Sequence, residues 1–486
     1  MYKTKRSFYM LNYTKQFING KWVESHSKRT IDIVNPSTEE VIAKIAAGDE
    51  KDVNYAIDSA NKVENEFRKS SLYYRKQILL KISEIYKRRM EDLKNAISMD
   101  LGSPISKTKA AQVEIGYKHF VTAIQMIDEL KFKEQRGNAL VIKEAVGTSA
   151  LITPWNYPAN QPATKIASSL AAGCPVILKP SEITPLASII LAEIIEEADI
   201  PHGYFNLVNG YGNEVGELLS KSKNIKMISF TGSTEAGAKI MKNATSNFKK
   251  VALEMGGKSP LIILDDQNIE ENAELAVMKV MSNSGQICTA ATRTLIPENM
   301  KEDFFRLVKD KVENLKLQLP NNTESEIGPV VNQKQYDKVQ FYINKGIEEG
   351  AKILTGGPGK PQGLEKGYFI KPTVFIDVKN NMKIAQEEIF GPVMSILTYN
   401  TIDEAIEIAN DTEYGLSSYV LGQDLNTVRK VAESIDSGTV ETNNISKSLT
   451  LPFGGYKSSG IGREWGDFGI EEFLEVKAIS GYFTTD

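Results

Sequence analysis

Hydrophobic residues follow helical spacing through much of the first 130 positions, after a beginning rich in short strands. Residues 17–45 alternate short apolar runs with turn residues, and the Asn19-Gly20 pair between two such runs predicts a β-hairpin. Apolar positions then recur with a period of 3.6 residues, which is typical of amphipathic helices. The predicted helices cover 53–67, 72–101 and 105–130.

The pattern changes at residue 131, where β-forming residues become frequent. A turn at Arg136-Gly137-Asn138 separates two such runs and predicts a two-stranded ribbon. The ribbon interrupts an otherwise α/β pattern, and its strand edges offer unpaired backbone groups. We therefore expect it to project from the chain and to pair with a partner subunit.

Short apolar strands and helical segments alternate from 146 to 265. This alternation predicts a parallel, doubly wound sheet with helices on both faces, whose ligands bind beyond the carboxyl ends of the strands. A second alternation over 270–450 predicts a second α/β domain. The predicted strands of the first alternation are SALIT, PVILK, FNLV, KMISF, KVALE and LIIL.

Composition limits the classes of function. The 486 residues are 41% hydrophobic and 25% charged with a net charge of −4, so no basic surface points to nucleic acid. No apolar stretch approaches the roughly 18 residues that a membrane span needs. The N-terminus also lacks the apolar core of a signal peptide, and we expect a cytoplasmic protein.

Two cysteines and three histidines restrict the chemistry further. Cys174 and Cys288 show no Cys/His spacing typical of a zinc site, so no metal is expected, and a cytosolic disulfide is equally unexpected. Cys174 lies between a helix end and an apolar strand, which is typical of a buried small side chain. Cys288 follows Asn-Ser-Gly-Gln-Ile and is either a core residue or a nucleophile on a turn. With so few histidines, a base near it would be a carboxylate or a lysine.

Two glycine-rich loops compete as the phosphate-binding site. Gly210, Gly212 and Gly216 follow the FNLV strand with one residue too many for the dinucleotide fingerprint. Gly232 follows the KMISF strand, and Ser233 stands where a helix begins. Small hydroxyl residues and free N–H groups at a helix start favour an anion, so we prefer the Gly232 loop.

Seven motifs together resemble the aldehyde dehydrogenase family over residues 17–481. Each motif alone is weakly specific, but their common order along the chain is highly specific. Met255 stands where the family usually has Leu, and Ile287 where a Cys or small residue is common. The motifs are Thr153-Pro-Trp-Asn-Tyr-Pro158, Lys179-Pro-Ser-Glu182, Phe230-Thr-Gly-Ser233, Glu254-Met-Gly-Gly-Lys-Ser259, Gly285-Gln-Ile-Cys288, Glu387-Glu-Ile-Phe-Gly-Pro392 and Pro452-Phe-Gly-Gly-Tyr-Lys457.

The resemblance implies NAD(P)-dependent oxidation of an aldehyde to a carboxylic acid. Cys288 would attack the aldehyde to form a thiohemiacetal, with the Asn156 amide and the Cys288 N–H stabilising the oxyanion. After hydride transfer, Glu254 would act as the general base that hydrolyses the thioester. Lys165 and Glu464 match positions that the family uses to relay protons.

The same resemblance implies the cofactor contacts. A carboxylate that accepts from both ribose hydroxyls would repel a 2′-phosphate, so Glu182 favours NAD, whereas Lys179 leaves NADP possible. Ser233 would contact the pyrophosphate, and Glu388 and Phe390 the nicotinamide ribose and ring. The implied cofactor-binding residues are Trp155, Lys179, Glu182, Thr231, Gly232, Ser233, Glu388 and Phe390.

The substrate would be a small-molecule aldehyde. Gln161 and Thr164 favour a polar aldehyde over a long-chain one. The expected pocket residues are Tyr157, Gln161, Thr164 and Phe453, with Ile445 and Lys447 near the mouth.

The predicted fold is α/β, with a Rossmann-type cofactor domain, a second α/β catalytic domain and a small β oligomerisation ribbon. The cofactor domain would comprise 1–123 and 146–256, and the catalytic domain 257–458. Residues 124–145 and 459–486 would form the bridging segments. We expect a homodimer or homotetramer.

Three other functions remain open on sequence alone. The nearest is a CoA-acylating semialdehyde dehydrogenase on the same fold, a branch that typically lacks the base at Glu254. A Cys-dependent amidase or acyltransferase would leave the Gly232 loop and the Glu387–Pro392 motif unexplained. A non-catalytic binding protein would be expected to have lost Asn156, Glu254 or Cys288, yet all three are present.

Overall fold

The computed structural model of the chain describes residues 10–265, 268–445 and 448–483. The outermost residues of the predicted terminal segments, 1–9 and 484–486, lie outside these ranges. In chain order, the strands are β1 (Leu11–Tyr13), β2 (Lys15–Ile18), β3 (Lys21–Glu24), β4 (Thr30–Asn35), β5 (Glu40–Ala46), β6 (Lys133–Arg136), β7 (Ala139–Ala145), β8 (Ser149–Ile152), β9 (Val176–Lys179), β10 (Phe205–Leu207), β11 (Met227–Thr231), β12 (Lys250–Glu254), β13 (Pro260–Ile263), β14 (Arg293–Pro297), β15 (Lys352–Thr355), β16 (Thr373–Ile376), β17 (Val393–Tyr399), β18 (Tyr414–Gly415), β19 (Ser417–Leu421), β20 (Thr439–Thr442), β21 (Tyr456–Lys457), β22 (Gly460–Ile461) and β23 (Leu474–Ile479).

Helices occupy most of the segments between the strands. Two π-helical turns, Lys109–Val113 and Gly212–Gly216, precede helices α5 and α8. In chain order, the α-helices are α1 (Glu50–Lys69), α2 (Leu72–Arg88), α3 (Met90–Asp100), α4 (Ile105–Thr108), α5 (Glu114–Glu129), α6 (Asn160–Ala172), α7 (Leu186–Glu197), α8 (Glu217–Lys221), α9 (Thr234–Ala244), α10 (Ile269–Met281), α11 (Lys301–Glu313), α12 (Gln333–Glu348), α13 (Lys383–Gln386), α14 (Ile402–Asn410), α15 (Leu425–Glu433) and α16 (Gly466–Glu471).

The predicted N-terminal hairpin is confirmed. Phe17 pairs with Trp22, and Asn19 and Gly20 both adopt positive φ angles, 53° and 71°. Two successive positive φ values suit a tight turn between twisted strands, because they match the right-handed twist. The helical prediction for 72–101 is divided at Arg89 into α2 and α3, and that for 105–130 is divided by the first π-helical turn.

An eight-stranded sheet forms the first layer, in the order β22-β12-β11-β8-β9-β10-β2-β3. Strands β12, β11, β8, β9 and β10 are parallel, and the others join at the edges as antiparallel strands. The central strands are buried on both faces, as expected where helices cover a parallel sheet. The predicted doubly wound sheet is confirmed, except that the LIIL segment belongs to the second sheet.

The strand order reverses at β8. The chain runs from β8 to β9 and β10 on one side, and then returns to β11 and β12 on the other. Ligands of open α/β sheets bind in the crevice beside such a switch point, at the carboxyl ends of the strands. Residues after Ile152 and Thr231, the ends of β8 and β11, therefore line the expected ligand crevice.

The second sheet has the order β15-β16-β17-β14-β13-β19-β20 and is parallel except at β15. Strand β13, which carries LIIL, lies between β14 and β19. Strands β14, β19 and β20 were not predicted from the sequence. Each contains polar residues, and the buried Arg293 at the start of β14 donates to the carbonyls of Lys258, Ile408 and Ala409.

The predicted ribbon forms β6 and β7, with Arg136 paired with Ala139 across the turn. Strand β23 from the C-terminal segment completes a three-stranded antiparallel sheet. Residues 124–129 belong to helix α5 and not to the ribbon, because their apolar side chains continue the buried face of that helix. Residues 460–461 likewise pair with β12 of the first sheet and not with the ribbon.

No helix within the described ranges is long and apolar enough to cross a membrane. Among the same residues, no group of His, Cys, Asp and Glu side chains could hold a metal ion.

Candidate active site

A cleft of about 160 Å³ lies at the carboxyl ends of β8 and β11, beside the switch point of the first sheet. It joins residues that follow these two strands with residues of the second α/β unit. The lining residues are Pro154, Trp155, Asn156, Gln161, Thr231, Gly232, Ser233, Met255, Gly256, Cys288, Gln335, Lys338, Glu388 and Phe390.

The segment before Cys288 is a strained turn. Asn283, Ser284 and Gly285 have φ angles of 50°, 58° and 72° in succession. Side chains other than glycine rarely adopt this region, and such strain persists where the surroundings enforce it. A Cβ on Gly285 would lie 2.0 Å from the carbonyl oxygen of Gly391, so only glycine fits against the neighbouring segment. The turn presents a partly exposed Cys288 to the cleft, whereas Cys174 is fully buried.

Asn156 is tied to the cysteine turn by a set of amide hydrogen bonds. The Asn156 Nδ2 donates to the backbone carbonyl of Gln286 at 3.0 Å. The backbone carbonyl of Asn156 accepts from Asn283 Nδ2 at 3.1 Å. Gln286 Oε1 in turn accepts from the Val331 N–H at 2.9 Å. Asn283 and Gln286 were not predicted as site residues, although the sequence places both within the Cys288 motif.

Glu254 ends strand β12 and is buried beside the cleft, but it is not among the residues that line it. Neither carboxylate oxygen has a hydrogen-bond partner among the described residues. Burial raises the pKa of Glu254 well above its usual range, and the charge of Glu464 raises it further, while Lys165 opposes the shift. A buried carboxyl with a raised pKa suits a general base.

Lys165 and Glu464 form a buried ion pair behind this strand. Lys165 Nζ also donates to Ser229 Oγ at 2.9 Å, and Ser229 lies 3.5 Å from Glu464 Oε1. A second, smaller cavity contacts all three residues. Ser229 was not predicted from the sequence, because it lies inside a buried strand and carries no motif signal.

The Gly232 loop forms the other wall of the cleft. Ser233 caps helix α9, with its Oγ accepting from the Ala236 N–H at 3.3 Å. The Gly232 N–H donates to the Glu254 carbonyl at 3.0 Å, which fixes the loop against β12. Thr231 Oγ1 is buried without a hydrogen-bond partner among the described residues.

Lys179 and Glu182 lie at the end of β9, outside the residues that line the cleft. Lys179 Nζ donates to Glu182 Oε2 at 2.7 Å, and the Gly212 N–H approaches Glu182 Oε1 at 3.4 Å. Burial alone would raise the pKa of Glu182, but the Lys179 charge and hydrogen bond lower it overall. The rejected Gly210–Gly216 loop therefore borders the predicted ribose site through Gly212.

Glu388 and Phe390 lie in the cleft with Trp155. The Trp155 and Phe390 rings meet edge to face, with centroids 5.2 Å apart. Glu388 Oε1 accepts from the Gly257 N–H at 3.1 Å. Burial raises the pKa of Glu388, against the lowering effect of Lys338.

Helix α12 contributes two lining residues that sequence reasoning missed, Gln335 and Lys338. Gln335 Nε2 donates to the carbonyls of Ile389 at 3.1 Å and Phe390 at 2.7 Å, and so fixes the Glu387–Pro392 segment. Lys258 supports the same segment from the other side by donating to the Glu387 carbonyl at 2.8 Å. Burial, with the nearby charge of Arg293, lowers the pKa of Lys258 to about 7.

The residues predicted to contact the substrate do not all line the cleft. Gln161 lines the cleft, and the pKa of Tyr157 is raised by burial and by the nearby Cys288. Thr164 instead lines the cavity of Lys165. Phe453 stacks on Trp465, with centroids 4.5 Å apart, and Ile445 is exposed. The remaining prediction, Lys447, lies outside the described residues.

Comparison with known proteins identifies the family. The model of the aldehyde dehydrogenase family matches residues 22–479. A Staphylococcus epidermidis protein named as a candidate aldehyde dehydrogenase is 56% identical over 474 residues, which cover 98% of this chain and all of that protein.

Solved structures agree with this match. A Pseudomonas syringae aldehyde dehydrogenase C variant, in complex with NAD+ and octanal, is 42% identical with a TM-score of 0.96, over 97% of this chain and 98% of that one. Betaine aldehyde dehydrogenase of Staphylococcus aureus, in complex with NAD+, is 36% identical with a TM-score of 0.93, over 97% of this chain and 95% of that one. The predicted resemblance and fold class are confirmed, and the chain belongs to the aldehyde dehydrogenase family.

Proposed function

We propose that the chain is an NAD-dependent aldehyde dehydrogenase that oxidises an aldehyde to a carboxylate through Cys288. The observation that carries this proposal is the shared cleft. A cysteine on a strained turn, an amide side chain and a helix N-terminus meet in one cavity at the switch point of the sheet. Family membership supports the same activity.

The cleft residues fit the dinucleotide. Helix α9 has 11 residues, and its N-terminus beyond Ser233 is suited to the pyrophosphate. Thr231 Oγ1 lacks a protein partner, and Gly256 leaves its part of the wall without a side chain. Trp155, Glu388 and Phe390 would hold the nicotinamide half, and Lys179 and Glu182 the adenosine ribose. NAD, when bound, supplies the ring that accepts hydride from the substrate carbon.

Cys288 begins the reaction as the thiolate, whose sulfur adds to the aldehyde carbon while the C=O electron pair moves to oxygen. The carbonyl oxygen becomes an oxyanion, which the Cys288 N–H and the Asn156 amide would stabilise. Asn156 Nδ2 carries two N–H groups, and the Gln286 carbonyl accepts from it at 3.0 Å and so orients the amide. Removing one such donor typically lowers kcat by about 10²–10³-fold.

Glu254 completes the reaction. Loss of hydride from the adduct leaves a thioester on Cys288, and water must attack its carbon while a base takes the proton of the water. The raised pKa of Glu254 gives it the basicity for this step, and Lys165 and Glu464 would pass the proton away. The carbon–sulfur bond then breaks and releases the carboxylate.

The test is a pair of variants measured by NADH formation. We expect Cys288→Ala to abolish oxidation while leaving NAD affinity unchanged, because the sulfur supplies the nucleophile and holds no cofactor group. We expect Glu254→Gln to give one burst of NADH per active site and then to stall, since the thioester accumulates. Full steady-state turnover in Glu254→Gln would refute the assignment of the base.

Coenzyme A is the matched control for the rival acylating reaction. We expect the same rate of NADH formation with and without it, because Glu254 allows water to release the acyl group. An absolute requirement for coenzyme A would replace hydrolysis with acyl transfer as the second half of the reaction.

We also propose that the division into domains follows the two large sheets and that the ribbon joins subunits. Strand β6 is the edge of its three-stranded sheet, and Val476 of β23 is exposed. Such an edge favours pairing with another chain. Sedimentation equilibrium should give a dimer or tetramer, and a monomer at micromolar concentration would contradict this assignment.

A further inference from the structure

Gln161 is a buried amide in the wall of the cleft that contains Cys288. It lies in the first turn of α6, where its backbone N–H donates to the Tyr157 carbonyl at 3.0 Å. The residue is 8% exposed, and its Oε1 is enclosed without a hydrogen-bond partner among the described residues. The side chain therefore belongs to the wall, but its amide oxygen has no hydrogen-bond partner among the described residues.

The adjacent amide of Asn160 differs from Gln161 in this respect. Asn160 is equally buried, but its Oδ1 bonds to His119 Nε2 at 2.8 Å. An unpaired buried polar group destabilises a fold by about 1–3 kcal/mol, and most such groups in proteins are paired. An unpaired group that persists beside a nucleophile is best explained by a partner that arrives with the ligand.

The chemistry of the amide limits that partner. A half-turn of the terminal torsion exchanges the amide oxygen and nitrogen, so Gln161 can offer either an acceptor or a donor. A hydroxyl pairs with both orientations, because it donates and accepts. A cationic group would instead need a carboxylate or the face of an aromatic ring, and the aromatic lining residues Trp155 and Phe390 are assigned to the cofactor in the proposed function. Glu388 is the acidic residue among those that line the cleft, and it lies at Gly256 and near Lys338.

We propose that Gln161 determines substrate specificity by hydrogen bonding to a hydroxyl group of the aldehyde, so that the enzyme prefers hydroxyaldehydes to simple alkanals. This inference rests on the proposed function of Cys288. A site built to bond a hydroxyl discriminates strongly against an analogue without it, since the analogue leaves the buried amide unpaired.

The experiment compares kcat/KM for matched pairs of aldehydes with NAD: 2-hydroxypropanal against propanal, and 3-hydroxybutanal against butanal. We expect the wild-type chain to prefer the hydroxylated member of at least one pair by about 5–100-fold, the range that corresponds to an unpaired buried amide. In Gln161→Met, which keeps the side-chain length and removes the amide, the ratio should fall to near 1, mainly through loss of the hydroxyaldehyde reaction.

Gln125→Met is the matched control. Gln125 lies on the exposed side of α5 and bonds to Glu129 at 2.7 Å, so the same substitution there should leave both rates unchanged. A third pair, 3-aminopropanal against propanal, tests for a cationic substrate.

The outcomes separate this inference from the proposed function. Equal kcat/KM values within both pairs in the wild-type chain would overturn the inference and leave aldehyde oxidation standing. A preference that survives in Gln161→Met would overturn the role of Gln161, and a dominant preference for the aminoaldehyde would overturn the substrate class. Failure to oxidise any aldehyde, with NAD bound, would overturn both proposals.

Discussion

Replacing Gly256 with alanine should weaken NAD binding by displacing Glu388. A Cβ at position 256 would lie 2.6 Å from Glu388 Oε2, 2.7 Å from Cδ and 2.8 Å from Oε1. Ordinary van der Waals contact begins at 3.4 Å, so the carboxylate must retreat by 3.4 − 2.6 = 0.8 Å. The backbone at Gly256 does not have a positive φ, so alanine introduces no backbone strain there.

The displacement is large enough to break a hydrogen bond. Glu388 Oε1 accepts from the Gly257 N–H at 3.1 Å, and a retreat of 0.8 Å along the bond would lengthen it to 3.9 Å. Hydrogen bonds to charged groups contribute about 1.5–3 kcal/mol, which corresponds to about 10–150-fold in an equilibrium constant. Because Glu388 is the proposed contact of the nicotinamide ribose, we expect the Kd of NAD to rise by about 10–100-fold, within that range.

The assay is an NAD titration followed by quenching of tryptophan fluorescence, since Trp155 lines the cleft. Gly216→Ala is the control, because no atom lies within 4 Å of a Cβ there and its φ is not positive. In a Glu388→Ala background, Gly256→Ala should add no further loss, since coupled residues are not additive. Wild-type affinity in Gly256→Ala, or full additivity with Glu388→Ala, would refute the steric explanation.

Three further predictions concern the relay, the cysteine turn and the cofactor preference. Glu464→Gln removes a charge that raises the pKa of Glu254, so the rise of kcat with pH should move to lower pH. Lys165→Met removes the opposing charge and should move that rise to higher pH. Shifts of both pH profiles in the same direction would contradict this explanation. Asn283→Ala should slow the NADH burst by about 10-fold or more without changing the Kd of NAD, because Asn283 orients Asn156, and stopped-flow absorbance measures both phases. Glu182→Gln should raise kcat/KM for NADP relative to NAD by removing the carboxylate beside the ribose, and an unchanged ratio would exclude Glu182 as the determinant.

Three of the parallel strands that the sequence predicted, β8, β9 and β12, contain a run of three apolar residues. Strands β8 and β9 are buried along their whole length and read as SALI and VILK. Strands β14 and β19 begin with Arg-Thr and Ser-Ser, and these polar residues shorten the apolar run in each strand. Their side chains are buried because other parts of the chain pair with them, as Arg293 shows by bonding to three distant carbonyls. These contacts join residues that are far apart in the sequence, so the sequence around each strand does not indicate them.

The site residues also differ in whether the local sequence or only tertiary packing indicates them. Cys288, Asn156 and the Gly232 loop lie in short sequence motifs, so these residues could be predicted as site residues from the sequence. Gln335 and Lys338 lie on an ordinary amphipathic helix, and only the packing of the second unit brings them to the cleft. A sequence motif also does not reveal the direction in which a side chain points.

Glu254 illustrates why that direction matters. Glu254, the last residue of β12, faces the Lys165–Glu464 pair, whereas Met255 and Gly256, which follow the strand, line the cleft. The end of β12 thus has the base on one side and the cofactor wall on the other. The Gly232 N–H bonds to the Glu254 carbonyl and fixes the backbone there, so an approach of the carboxylate to Cys288 would require rotation of the Glu254 side chain. Under the proposed mechanism, Glu254 would therefore activate water for hydrolysis of the thioester only after its side chain has turned into the cleft.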